Sequence, residues 1–295
     1  MIYRRRIVLA LIEQFGGELT AMRFQKLLFL LSDRQTQRAY YFVPYKYGCY
    51  SFQACADKQS LITEGYLNNA KPWTLARNSE NNFYWYLDQS DRLALDQIKR
   101  NFKDMPVDEL VRYVYLNYPF FAINSDIASK VLTDNELRII DRIKQPKFVG
   151  EKLYTIGYEG RSLDQYLSML IQNQITVLID VRKNPLSRKF GFSKTTLSNV
   201  CNKLNIGYVH LPELGIPGEF RKNLNTQADY DDLFSLYRRE ILPGQSSSIQ
   251  KIISLITDYK SVALTCFELS PDHCHRSVIS KVVGQQHSSV TISHI

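Results

Sequence analysis

The stretch Ile175-Thr-Val-Leu-Ile-Asp-Val181 is apolar at five of its seven positions and has no polar residue at every second place. So short a run suits a strand buried on both faces, as in the middle of a parallel sheet, and is too brief for a helix of its own. The surrounding segments alternate in kind. Leu153–Ile156 reads as a strand and Leu163–Gln172 as a helix. A helix over 194–204 follows Ser193, then a strand Gly207–His210, helices 230–241 and 247–259, a strand Val262–Thr265, a helix 274–283 and a last strand 290–294. Strands alternating with helices imply an α/β domain, a mostly parallel Rossmann-like three-layer sheet, over residues 150–295. In such a sheet the reactive groups collect beyond the carboxyl ends of the strands.

Residues 1–149 follow another pattern. A helix over Arg5–Gln14 stops at Gly16-Gly17, and Thr20 can cap a second helix over Ala21–Ser32, with Phe24, Leu27, Leu28 and Leu31 inward. An extended aromatic segment, Tyr40–Tyr50, precedes a helix over 51–63, and Phe83–Leu87 reads as a strand. Helices over 89–100, 107–117 and 133–144 close this half. The order is that of a mainly helical, winged-helix-like domain suited to binding nucleic acid or a partner protein.

Net charge is +8, and both halves are basic, by +5 over 1–149 and +3 over 150–295. A positive field favours polyanions such as DNA. No apolar run approaches the ~20 residues of a membrane span, so no membrane partner is expected. Five scattered cysteines and no cleavable leader point to a reducing, cytoplasmic setting.

Four segments leave predicted strand ends: Gly157–Arg161, Asp180–Pro185, His210–Pro217 and Cys266–Arg276. The last packs two thiols, two imidazoles, two carboxylates and a guanidinium into eleven residues. If the strands are parallel, these loops place Tyr158, Glu159, Asp180, Arg182, His210, Glu213, Glu268, His275 and Arg276 around one pocket. Asp180 is the first candidate for a catalytic carboxylate, followed by Glu159 and Glu268. The loop after Asp180 carries Arg182, Lys183, Arg188, Lys189 and Lys194 with Phe190 and Phe192 interleaved and no acid. Basic groups there can neutralise phosphates while rings stack on bases. Gly191 would let backbone come close to a nucleic-acid strand. The thiols are spaced poorly for zinc: seven residues separate Cys266 from Cys274, and no Cys-x-x-Cys pair exists. No metal and no cofactor are expected.

The motifs Tyr154–Glu159, Asp180–Arg182, Cys266–Glu268 and His273–Arg276 stand in the order found in the DUF488 family, and residues 152–295 resemble it. Within that setting the chain is similar to Brig-type anti-phage DNA glycosylases. That resemblance implies removal of a modified base, such as a modified cytosine of phage DNA, from a duplex with the base flipped out. Tyr158, Arg182, His210, His275 and Arg276 would then hold the substrate. At the other end, Leu27–Leu31 followed by Tyr45-Lys-Tyr-Gly-Cys-Tyr-Ser51 resembles the SocA/Panacea-type antitoxin domain, with Cys49 where that pattern has proline. Two other functions fit the residues: a non-catalytic DNA-binding or antitoxin-like regulator, and a Cys-dependent phosphatase or sulfur-transfer enzyme.

Overall fold

The computed structural model describes residues 1–76, 82–145, 148–221 and 224–295. The chain divides into two compact units, Met1–Gln145 and Pro146–Ile295.

The first unit is mainly helical. Helices α1 (Tyr3–Gln14), α2 (Ala21–Arg34) and α3 (Phe52–Thr63) are accompanied by short strands β1 (Glu18–Leu19), β2 (Val43–Tyr45), β3 (Gly48–Tyr50) and β4 (Trp73–Thr74). Then come α4 (Gln89–Phe102), α5 (Val107–Asn117), α6 (Ala128–Val131) and α7 (Asp134–Lys144). The strands form two antiparallel pairs, β1 with β4 and β2 with β3. Thr20 and Ser51 accept the backbone N–H of Arg23 and Ala54, so each caps its helix as a short hydroxyl can. The inner side of α2 buries Phe24, Leu27, Leu28 and Leu31, and Phe24 stacks on Trp73 at 3.6 Å.

The strand expected at Phe83–Leu87 does not form. Phe83–Tyr86 is a 3₁₀ turn, and the Glu13 carboxylate accepts the N–H groups of Phe83 and Tyr84. A side chain from α1 thus satisfies the donors that a neighbouring strand would have taken.

The second unit holds a five-stranded parallel sheet. Its strands are β5 (Lys152–Gly157), β6 (Val177–Asp180), β7 (Gly207–His210), β8 (Ser261–Cys266) and β9 (Thr291–His294), in the order β7-β6-β8-β5-β9. The helices are α8 (Leu163–Gln172), α9 (Lys194–Lys203), α10 (Gln227–Leu236), α11 (Ser246–Tyr259) and α12 (Arg276–Gln286). The helix expected to reach Ile241 ends at Leu236 and continues as a π turn over Tyr237–Ile241.

Side chains alternate across the sheet. Leu153, Val177, Ile179, Val262, Leu264 and Cys266 share a core with Ile249, Ile252 and Ile256 of α11 and Val278, Ile279 and Val283 of α12. On the opposite face Tyr166 of α8 donates to Thr265. Helices cover both faces, so this is a three-layer, Rossmann-like arrangement. The register pairs Asp180 with both His210 and Thr265, whereas Cys266 pairs with Gly157. Asp180 and Cys266, one step out of phase, therefore emerge on opposite faces of the same sheet edge.

Candidate functional site

On the α8 face, the acid at the end of β6 is enclosed. Asp180 is 0 % exposed. Arg182 Nε lies 2.9 Å from Oδ1, and its Nη2 lies 2.5 Å from Oδ2. Tyr208 donates to Oδ2 at 2.5 Å, and the Arg182 N–H donates to Oδ1 at 3.1 Å. The remaining guanidinium nitrogen of Arg182 donates to the Tyr158 hydroxyl and the Phe192 carbonyl. Burial opposes the charge on Arg182, but the paired carboxylate outweighs it and holds the guanidinium protonated above its ordinary range. Burial, with Asp180 beside it, also pushes the Tyr208 phenol well up. His210 donates from Nε2 to the Arg182 carbonyl at 2.9 Å.

The aromatic side chains nearby complete this knot. Tyr158 is buried and stacks on Phe192 with ring centroids 4.2 Å apart. Tyr158 thus shows a base no free face, and Phe192 belongs to the core. Gly191, at φ +89°, serves packing: a Cβ there would lie 2.4 Å from Leu163 of α8. Lys189 donates to the Tyr158 carbonyl at 3.0 Å. Of the basic loop, Lys183, Arg188, Phe190 and Lys194 are the exposed members.

On the α12 face the loop after β8 folds over the strand ends. Gly157 makes room for it, since a Cβ there would stand 1.8 Å from the Glu268 carbonyl oxygen. Arg276 is buried and donates to the carbonyls of Glu268 and Leu269 at 2.5 and 2.8 Å. It shapes the loop and does not reach toward a phosphate. The Leu269 N–H donates to Glu159 at 2.9 Å, and the N–H groups of Tyr158 and Glu159 donate to the Phe267 carbonyl.

Inside this loop Cys266, Cys274 and His275 converge, with Sγ, Sγ and Nδ1 all within 4.8 Å of one another. The seven-residue gap that argued against such a cluster is closed by the Pro271–His273 turn. His275 Nδ1 lies 3.9 Å from each sulfur, and Nε2 donates to the Val181 carbonyl at 3.1 Å. Glu268 Oε2 lies 3.2 Å from the Cys266 sulfur, while Oε1 accepts from Arg221 at 3.0 Å. A hydrogen bond from Cys274, together with His275 and Arg221, holds the Cys266 thiol below its ordinary range against the effect of burial, and burial pushes Cys274 up. Burial also raises the Glu268 carboxyl.

A cleft of about 710 Å³ opens beside this cluster, lined by Glu159, Arg221, Tyr230, Phe267, Glu268 and His273 among others. That volume lies within the range of small-molecule sites. Tyr230 is backed by His273 in a 4.5 Å stack, and Phe267 is exposed. The single pocket expected from the four loops is thus divided by the sheet. Glu159 and Glu268 line the cleft and His275 stands behind it. Asp180, Arg182, Tyr158 and His210 belong to the enclosed knot on the other face. Sequence reasoning missed Arg221 and Tyr230, which reach the cleft from segments without a strand-end motif. It also missed Tyr208, whose place on a short strand gave no sign of its bond to Asp180.

The fold and the placement of this cleft define a parallel-sheet α/β domain with its reactive groups beyond the strand ends. Residues 162–283 match the family profile of the domain of unknown function DUF488, so the C-terminal unit carries a DUF488 domain. No curated protein and no solved structure matches the chain significantly. Among the described residues no helix is long and apolar enough to cross a membrane.

Proposed function

We propose that the C-terminal unit is a DNA-processing hydrolase that removes a base by cleaving its N-glycosidic bond, with modified cytosine of phage DNA as the leading substrate. The observation that carries this reading is the cleft, in which two carboxylates, Glu159 and Glu268, share a wall with the rings of Tyr230 and Phe267. Cleaving a glycosidic bond builds positive charge on the sugar, which a carboxylate stabilises or relieves by activating water. A flipped base needs flat apolar surfaces to replace the stack it leaves. The exposed Lys183, Arg188 and Lys194 supply charge for phosphates. Phe190, 40 % exposed, is the ring free to meet a base. Asp180 then serves as a positioning residue: it fixes Arg182, which in turn holds the 192 carbonyl and Tyr158.

The test incubates the full chain with unmodified DNA and with DNA carrying modified cytosines, and counts abasic sites. Abasic sites on a modified substrate are expected, with Glu159→Gln and Glu268→Gln each lowering the rate by about 10²-fold or more. Salt-dependent DNA binding with no base loss on any substrate overturns the hydrolase and leaves a DNA-binding regulator. Base loss abolished by thiol alkylation, yet intact in both carboxylate variants, moves the chemistry to Cys266.

A further inference from the structure

We propose that Cys266, Cys274 and His275 form a three-ligand zinc site, with its fourth position facing Glu268 and the cleft. This inference goes beyond the reading of base removal and stands without it.

The distances fit the ion. Zinc–sulfur and zinc–nitrogen bonds of about 2.3 and 2.0 Å at a tetrahedral angle put sulfur and nitrogen about 3.6 Å apart. Each sulfur lies 3.9 Å from His275 Nδ1, so a few tenths of an ångström of closure completes the geometry. All three side chains are buried, and two come from one short segment whose backbone is set by the Pro271–His273 turn. The imidazole is already oriented as a ligand. Its Nε2–H is committed to the Val181 carbonyl, which leaves Nδ1 as the accepting atom, 3.9 Å from each sulfur. A backbone carbonyl on the far nitrogen is the usual partner of a metal-bound histidine.

Charge fits as well. Two thiolates and a neutral imidazole around a dication make a neutral unit, the form a buried place tolerates. The neighbouring Glu268–Arg221 pair is neutral in turn. A cation already touches the ligand set: Arg221 Nη2 donates to His275 Nδ1 at 3.2 Å, and the same side chain leaves its Nε buried without a partner. With 31 % of its side chain exposed, Arg221 can withdraw toward the cleft and keep its bond to Glu268. That movement opens the route by which the ion enters. Softness selects the metal, since two thiolates with one imidazole suit zinc over magnesium or calcium.

The experiment uses the full chain. Metal content is measured on the purified protein, the metal is stripped, and the apoprotein is titrated with Zn²⁺ against a chromophoric chelator and with Co²⁺ by absorption. We expect one zinc ion per chain that competes with the chelator. Co²⁺ should give a thiolate-to-metal charge-transfer band and the intense visible bands of tetrahedral coordination. Cys266→Ser and Cys274→Ser should each abolish the charge-transfer band or halve it, while Cys201→Ala, a buried thiol outside the cluster, should keep it. Absence of competitive zinc binding by the wild-type apoprotein, or a full cobalt spectrum in the Cys266→Ser/Cys274→Ser double variant, overturns the site. The wild-type titration decides the matter even if a variant fails to fold. Base removal is not read in any arm: an inactive protein that binds zinc refutes only the hydrolase, and an active one that binds none refutes only the zinc site.

Discussion

Two constellations stand a strand apart at the edge of one sheet, and they differ in how completely their polar atoms are used. Around Asp180 both carboxylate oxygens are taken by Arg182 and Tyr208, and the guanidinium is spent on the carboxylate, Tyr158 and the Phe192 carbonyl. Around Cys266 each of two sulfurs lies 3.9 Å from one imidazole nitrogen, beyond a strong hydrogen bond, beside a carboxylate and a half-buried arginine. A saturated knot fixes structure, because each group already has what it would take from a ligand. Converging donors with capacity left are what a ligand needs.

The sharpest way to break this contrast is to open the knot. Arg182→Met leaves the buried Asp180 carboxyl without its cation and should lower stability by about 3–5 kcal/mol, read as the denaturant midpoint at unchanged slope. Adding Asp180→Leu should restore part of that loss. A normal midpoint for Arg182→Met would make the knot dispensable and return Asp180 to the chemistry.

Phe192 and Phe190 test the same distinction two residues apart. Phe192→Ala removes a buried ring stacked on Tyr158 and should lower stability by about 3–5 kcal/mol. Phe190→Ala should change stability by less than about 0.5 kcal/mol and weaken DNA binding instead. In the same loop, Lys183→Ala and Arg188→Ala should each flatten the dependence of log affinity on log salt by about one, in filter or fluorescence binding. Unchanged slopes would detach the loop from DNA.

A smaller effect tests a saturated acid far from the cleft. Glu151 accepts from Lys260, His287 and Ser289, and these bonds, Lys260 first, hold its carboxyl at about 2. A lowered carboxylate stabilises the fold above its ordinary value near 4.5, and that contribution is lost as pH falls through about 2. Wild type and Glu151→Gln should therefore differ by a constant midpoint above that window and converge below it.

The alternation of apolar segments made the second unit legible, because a strand buried on both faces leaves a short unbroken run such as Ile175–Val181. Loops at strand ends followed from parallelism. The face on which each side chain emerges did not, since it depends on register: one residue of phase separates Thr265 from Cys266 and puts them in different layers. The Phe83–Tyr86 turn was illegible because its deciding partner, Glu13, lies some seventy residues away. Arg221 was hidden likewise, and Cys274 reaches Cys266 through a turn that spacing rules do not cover.

One bond described above joins the two layers. The carbonyl of Val181, the residue between Asp180 and Arg182, accepts the Nε2–H of His275. A peptide unit held on one side by an ion pair thereby sets the tilt of an imidazole on the other. The two faces are therefore tied to each other through this bond as well as through the N–H of Tyr158, which donates to the carbonyl of Phe267 at the cleft. The orientation of the His275 ring is thus fixed by backbone whose own place is set by the ion pair on the opposite face.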